Sequence, residues 1–206
     1  MTESRAYHSP RRRQEAANTR RAVLDAALRL FADRGYDRVT VAEIASRAGV
    51  ATKTVYASVG GKPDLLKEVI SAAVDESRGQ GTADLVRACD DPRRIVELIA
   101  EGTRGDNEQH RDLLAVTHAA MSAHQEEAAA LWERTTSLYR ALLAETAERL
   151  DGLGALPEDL SVEEASQILW FCFGIPAWRT AVHDFGLDWD AAQRWLLRRA
   201  LALLLR

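Results

Sequence analysis

Apolar residues recur at helical spacing along most of this chain. Between Ala16 and Gly35 they follow the i, i+3, i+4, i+7, i+8 spacing of a helix that buries one face: Val23, Ala26, Ala27, Leu30 and Phe31. Gly35 is then typical of a left-handed helix end. Strand-type alternation does not appear in the sequence. The pattern therefore predicts an all-α fold, with about nine or ten helices by this spacing.

Two short helices are predicted next, joined by a tight corner. Thr40-Val41-Ala42-Glu43 is a capping box, which opens one helix that Gly49 ends. A second helix is expected from about Thr52 to Ser58, and Lys62-Pro63 begins a fourth after Gly60-Gly61. Two short helices around a Gly-containing corner are typical of a DNA-binding helix-turn-helix. Its second helix would present hydroxyl and ammonium donors: Thr52, Lys53, Thr54, Tyr56 and Ser58.

Several spaced elements of this region resemble the TetR family of bacterial repressors. They run, in order, from Phe31-x3-Gly35-Tyr36 through Thr40-Val41-x2-Ile44-Ala45, Ala48-Gly49-Val50 and Thr54-Val55-Tyr56 to Lys62 and Leu65-Leu66. The resemblance implies an N-terminal three-helix DNA-binding domain and a C-terminal helical domain for ligand binding and dimerisation. It also implies phosphate contacts from Thr40, Tyr56 and Lys62, with Thr52 and Lys53 nearest the base edges. Two positions depart from the family pattern, since Ala42 offers only a methyl and Val59 replaces a commoner aromatic.

The charge of the chain is unevenly distributed. Residues 1–62 carry 12 Lys and Arg against 6 Asp and Glu, a charge of +6, whereas the remainder carries 15 against 25, a charge of −10. Only the first part is therefore expected to meet a polyanion. Residues 1–15 are predicted to be a disordered basic arm, which either follows DNA or is a solubilising tail. We expect the DNA-binding domain over residues 16–77 and the second domain over residues 78–206.

The C-terminal part is predicted to contain a dimer interface. The run Ile168–Phe173 is apolar on every face, which indicates a helix that is buried on all sides. A last helix from about Trp189 to Leu205 carries more apolar residues than one stripe needs. Together these two helices predict a homodimer, and two recognition helices predict a palindromic double-stranded operator. One large monomeric core is the alternative.

The family resemblance implies a ligand pocket among the helices between Arg93 and Leu150. If the pocket exists, its apolar and aromatic lining favours a small hydrophobic effector, although core packing accounts equally well for each candidate. A C-terminal domain that responds to a protein partner, or to no ligand, is the alternative. The candidate lining residues are Leu114, His118, Met121, Trp132, Tyr139, Trp170, Phe173 and Trp178.

Other classes of protein are disfavoured by the sequence. The sequence lacks four common catalytic motifs: a nucleophile elbow, a phosphate-binding Gly loop, His-Glu-x-x-His and Cys-x-x-Cys. We therefore do not expect this protein to be an enzyme. His110, His118 and His124 do not share one helical face, which argues against a metal site, and no cofactor is expected. No apolar run approaches the about 18 residues of a membrane span. Without a signal peptide, the expected location is the cytoplasm.

Overall fold

The structure, a computed structural model, describes residues 10–75, 79–122 and 126–205. No β-strand occurs in this part of the chain, so the all-α prediction is confirmed. Its eleven α-helices are joined by a 3-10 turn at Tyr36–Arg38 and a π turn at Thr180–Asp184. The helices are α1 (Pro10–Arg34), α2 (Val41–Ala48), α3 (Thr52–Ser58), α4 (Lys62–Asp75), α5 (Gly79–Arg87), α6 (Pro92–Gln109), α7 (Arg111–Ser122), α8 (Glu126–Gly152), α9 (Val162–Phe173), α10 (Ile175–Arg179) and α11 (Trp189–Leu204). Among these helices, none is both long and apolar enough to cross a membrane.

The chain divides into two compact units. The N-terminal unit comprises Met1–Asp75 and Asp112–Leu131, and the C-terminal unit comprises Glu76–Arg111 and Trp132–Arg206. The expected boundary near residue 77 is therefore incomplete, because the α7 region groups with the first unit. Leu113 and Val116 are the reason, since both are buried in the same apolar core as α1 to α4.

The first helix begins earlier than the apolar pattern predicts. It starts at Pro10 rather than Ala16, so residues 10–15 are helical and the predicted disordered arm is wrong over this stretch. Proline suits a first helical turn, and the arginines that follow are strong helix formers. An Arg11–Glu15 pair at i, i+4 adds to the same preference, with Nε and Oε1 3.0 Å apart. Residues 1–9 lie outside the described residues.

The helix-turn-helix follows the predicted bounds. The Thr40–Glu43 capping box is present at the start of α2, and Gly49 ends that helix with a φ of 70° in the left-handed region. The core beneath α1 to α4 is formed by fully buried apolar side chains, among them Val23, Phe31, Ile44, Val55 and Leu66. Val55 is the residue through which α3 packs on that core, so the rest of α3 is left for other contacts.

Helices α5, α6, α9, α10 and α11 and most of α8 build the C-terminal unit around one core. The apolar core contains Ile99, Leu143, Leu169, Trp178 and Leu196. Helix α6 continues through Gly105–Asn107 because its polar side chains bond within the helix, with Asn107 Nδ2 donating to the Thr103 carbonyl at 2.7 Å. Helix α5 likewise begins with two glycines in its first turn, Gly79 and Gly81.

Helix α9 is buried on one side only within the single chain. Leu169, Cys172 and Phe173 lie in the core, but Phe171 is 77% exposed. One side of α9 thus packs in the core of the single chain, and the expected burial of the other side against a partner stays a prediction. Burial raises the pKa of the Cys172 thiol to about 11, in keeping with a buried apolar role for this residue.

Candidate nucleic-acid interface

The exposed face of α3 is the centre of the candidate interface. Thr52, Lys53 and Tyr56 are exposed, with Tyr56 at 56%, while Thr54 is half-buried. Val55 is completely buried and fixes which way this face points. The structure therefore brings three of the predicted donors together on one surface of a seven-residue helix. A hydroxyl, an ammonium and a phenol at that spacing can donate to phosphates and to base acceptors.

Thr40 uses its polar atoms within the domain. Its backbone N–H donates to Glu43 Oε2 at 2.9 Å, and its hydroxyl donates to the same oxygen at 2.8 Å. These two bonds hold the pKa of the Glu43 carboxyl below its usual range, and the Arg34 guanidinium adds to the effect. A phosphate contact from Thr40 therefore stays a prediction, and it requires the hydroxyl to turn away from Glu43.

Ser58 points back into its own helix. Its Oγ donates to the Val55 carbonyl at 3.2 Å, and the side chain is half-buried. The structure thus separates Ser58 from the exposed donors of α3, although sequence reasoning grouped them. A serine near a helix end commonly bonds a carbonyl of the preceding turn, and this local preference is what the grouping overlooked.

Lys62 lies at the start of α4 and is half-buried. Its Nζ donates to the Asp37 carbonyl at 3.1 Å and lies over the Tyr36 ring. The nearby Asp64 carboxylate accepts from the Gly61 N–H at 2.8 Å, so this backbone donor at the start of α4 already has a partner. Lys62 can reach DNA by leaving these partners, and its phosphate contact stays a prediction.

Arg20 is a residue that sequence reasoning missed. It lies on α1, where its Nη1 donates to the Ser58 carbonyl at the end of α3. Its Nη2 lies 2.6 Å from Glu68 Oε2 on α4. Position 20 is far from both partners in sequence, so no local pattern indicates the contact. Arg20 is half-buried, whereas residues 11–18 before it are exposed.

The two positions that depart from the family pattern, Ala42 and Val59, lie in different surroundings. Ala42 is exposed at the start of α2 and offers a methyl to any partner. Val59, which replaces the commoner aromatic, is half-buried and packs against the core of the N-terminal unit. The turn after α3 is therefore held by an apolar contact, and Gly60 in this turn has a φ of 121°.

The candidate ligand residues fall into both units. Leu114 belongs to the N-terminal unit and is half-buried, and the side chains of His118 and Met121 lie outside the described residues. The remaining candidates belong to the C-terminal unit, where Phe173 and Trp178 are fully buried in its core and Trp132, Tyr139 and Trp170 are half-buried. Core packing therefore accounts for Phe173 and Trp178 in this structure.

A polar cluster interrupts that core. The Tyr139 hydroxyl donates to the Phe173 carbonyl at 2.6 Å and accepts from Asn107 Nδ2 at 3.2 Å. Burial raises the pKa of Tyr139 well above its ordinary value. The indole N–H of Trp178 faces the same hydroxyl but makes no hydrogen bond of normal geometry within the described residues. The cluster lies where α9 gives way to α10 at Gly174.

Comparisons with known proteins match the segment of the chain that contains α2 and α3. The family model described as bacterial regulatory proteins, tetR family, matches residues 23–69. The regulator BetI of Rhizobium meliloti is 34% identical over 87 residues, 42% of this chain and 43% of that protein. The repressor BepR of Brucella suis is 40% identical over 63 residues, 31% of this chain and 30% of that protein. The matched segment thus spans less than half of these relatives.

The similarity of fold extends further along the chain. The crystal structure of a transcriptional regulator FadR from Bacillus subtilis, in complex with stearoyl-CoA, superposes with a TM-score of 0.72. The superposition covers 88% of this chain and 97% of that chain at 19% identity, so it bears on the fold alone. Residues 23–69 are thus similar to bacterial regulatory proteins of the tetR family, and the fold of most of the chain is similar to that of FadR.

Proposed function

We propose that this chain is a transcriptional regulator, a repressor that binds a palindromic double-stranded operator through α2 and α3. The observation that carries the proposal is the exposed set Thr52, Lys53 and Tyr56, arranged around the buried Val55. Lysine and threonine can contact base edges in the major groove, and a tyrosine hydroxyl can contact the backbone. A role in regulation rather than catalysis agrees with the relatives, which are named as regulators.

Charge supports the same assignment. The excess of +6 lies within residues 1–62, which contain α1 to α3 and the start of α4. Duplex DNA attracts such a surface, and most of the affinity would come from phosphate contacts that depend on salt. Thr40 and Lys62 are the proposed contributors next to α3, once each exchanges its partner within the domain for a phosphate oxygen. A regulator of transcription acts on the chromosome, so the proposal places the protein in the cytoplasm.

The proposed assembly is a homodimer that uses α9 and α11. Phe171 of α9 and Leu203 of α11 are large apolar side chains that the single chain leaves exposed. Exposed large apolar groups on helices that otherwise pack inward support contact with a second copy. Two copies would present two α3 helices, which is why we expect the operator to be a palindrome.

A small hydrophobic effector is the proposed signal. Half-buried aromatics in the C-terminal unit, such as Tyr139 and Trp170, support an apolar site. The FadR neighbour was crystallised with stearoyl-CoA. The effector would release the operator only through different affinities for two conformational states. A protein partner, or no ligand, is the alternative, and an operator affinity that no hydrophobic compound changes would favour it.

The test of DNA binding is a selection of duplexes from a random library by the purified full chain. We expect an enriched palindrome, and selection without enrichment would contradict the proposal. On the enriched duplex, Lys53→Ala should lower the affinity by about 1–3 kcal/mol and relax the preference at one base pair. Lys67→Ala is the matched control, because Lys67 is an exposed lysine of α4 outside the proposed reading surface. An equal loss of affinity in both variants would mean that Lys53 contributes only its positive charge and does not read a base.

A further inference from the structure

The recognition helix α3 is short and poorly capped by its own sequence. It has seven residues, and its N-cap, Ala51, makes no side-chain cap hydrogen bond. At the other end the Val55 carbonyl accepts from the Val59 N–H at 2.9 Å and from the Ser58 hydroxyl. The Ser58 carbonyl lies one turn further and needs a donor from elsewhere, since the last carbonyls of a helix have no partner within it.

Arg20 supplies that donor. The Nη1 of its guanidinium donates to the Ser58 carbonyl, and its Nη2 pairs with Glu68 on α4. A cation at a helix C-terminus also complements the helix dipole. The planar, forked guanidinium holds two acceptors in a fixed relation to each other, which a lysine ammonium does not. One side chain rooted in α1 therefore connects the end of α3 with the second turn of α4.

The contact between Arg20 and Glu68 contributes too little to stability, as an ion pair alone, to explain its presence. The Arg20 and Glu68 side chains are 39% and 38% exposed, and exposed ion pairs contribute little to stability. The position of Arg20 indicates its role better than the energy of the pair does. Its side chain joins α3, the helix proposed to read bases, to α4, the helix that follows. Val55 anchors the middle of α3, and Arg20 fixes its end.

We propose that Arg20 is a positioning residue for DNA recognition, which sets the orientation of α3 through the Ser58 carbonyl and is itself oriented by Glu68. The proposal rests on the proposed function, since it assumes that α3 reads the operator. It differs from a phosphate contact by Arg20, because a positioning residue acts on the discrimination between sequences and not on the number of phosphates neutralised.

The experiment uses the full chain and two duplexes, one selected by the wild-type protein and one scrambled. We expect Arg20→Gln to weaken binding to the selected duplex by about tenfold, which is the scale of a lost charged hydrogen bond. Binding to the scrambled duplex, and the slope of log affinity against log salt, should stay as in the wild type. Glu68→Gln should give a smaller loss in the same direction, because Arg20 stays present but loses its charged partner.

Arg21→Gln is the matched control, because it removes the same charge from the neighbouring, exposed position of α1. If Arg20→Gln does not fold, Arg20→Lys replaces it, since it keeps the charge but not the fork. A salt slope that falls by about one would overturn the proposal in favour of a phosphate contact. Unchanged affinity for the selected duplex would also overturn it. A wild-type protein that selects no duplex would instead contradict the proposed function.

Discussion

The Nζ of Lys62 lies 4.4 Å from the centre of the Tyr36 ring. The same atom donates to the Asp37 carbonyl, so the first residue of α4 is tied to the turn that follows α1. The Lys62 ammonium therefore has two expected roles, because the family resemblance also implies that it contacts a phosphate. Its internal role and its role in DNA binding can be separated by measurement.

Lys62→Met should lower both stability and DNA affinity. Loss of the cation–π contact and the hydrogen bond is expected to reduce the free energy of unfolding by about 1 kcal/mol. Loss of a phosphate contact would reduce the salt slope of DNA binding by about one. Urea denaturation and binding titrations at several salt concentrations measure the two effects. Tyr36→Leu serves as the control, since it removes the ring and keeps the ammonium. A salt slope equal to that of the wild type would restrict Lys62 to its internal role.

The Glu43 capping box should make the protein sensitive to acid. The pKa of Glu43 is lowered in the folded chain, so its stabilising effect is fully present above its ordinary value of 4.5. That effect is lost as the pH falls below 4.5 and through the lowered pKa. Glu43→Gln should therefore be less stable than the wild type at neutral pH, and the two should converge in acid.

The measurement is the denaturation midpoint of each protein between neutral pH and pH about 3, a range that spans the ordinary carboxyl pKa. Glu148→Gln is the control, because Glu148 is exposed within α8 and away from a helix start. The comparison of the two variants isolates the contribution of the capping box, because each variant removes one carboxylate charge. A constant difference for Glu43→Gln would contradict the prediction.

Tyr139→Phe tests the polar cluster of the C-terminal unit. The change removes the hydroxyl that donates to the Phe173 carbonyl and accepts from Asn107. Because these partners then remain buried without it, we expect a loss of about 1–3 kcal/mol in the free energy of unfolding. Tyr56→Phe is the matched control, since it removes a hydroxyl from an exposed ring. Equal stabilities of the two variants would show that the cluster makes no net contribution.

Phe171→Asp tests the proposed dimer. A carboxylate at the centre of an apolar interface is costly to bury, so the dimer should dissociate at concentrations where the wild type does not. Sedimentation equilibrium measures the molecular mass. Leu85→Asp introduces the same charge on α5, at a side chain 57% exposed, and should leave the mass unchanged. A Phe171→Asp protein with the wild-type mass would move the interface elsewhere.

Local chemistry made part of this structure predictable. The Thr40–Glu43 capping box and the left-handed Gly49 depend on residues within one or two turns of each other, and both were identified from sequence. The contacts of Arg20 and Lys62 could not be identified this way. Arg20 meets Ser58 across 38 positions and Lys62 meets Asp37 across 25, so the fold brings the partners together.

The division into units shows the same limit. A helical period in α7 does not say which core receives Leu113 and Val116. The structure places them with the core of α1 to α4. Likewise, Gly105 does not end α6, because a glycine weakens a helix by only about 1 kcal/mol and the burial of Ile99 and Asn107 on the same helix outweighs that loss.

The early start of α1 changes what Arg11, Arg12 and Arg13 can do. A helix with its side chains is about 10–12 Å wide, whereas the minor groove of B-DNA is about 6 Å wide, so residues 10–15 do not fit that groove as they are folded. Successive side chains also point about 100° apart around the axis, because the helix turns once in about 3.6 residues. The three guanidinium groups therefore cannot all follow one strand of phosphates. Because this stretch is already helical, it loses little backbone conformational entropy on reaching DNA, but it offers the DNA backbone only one or two of its charges at a time.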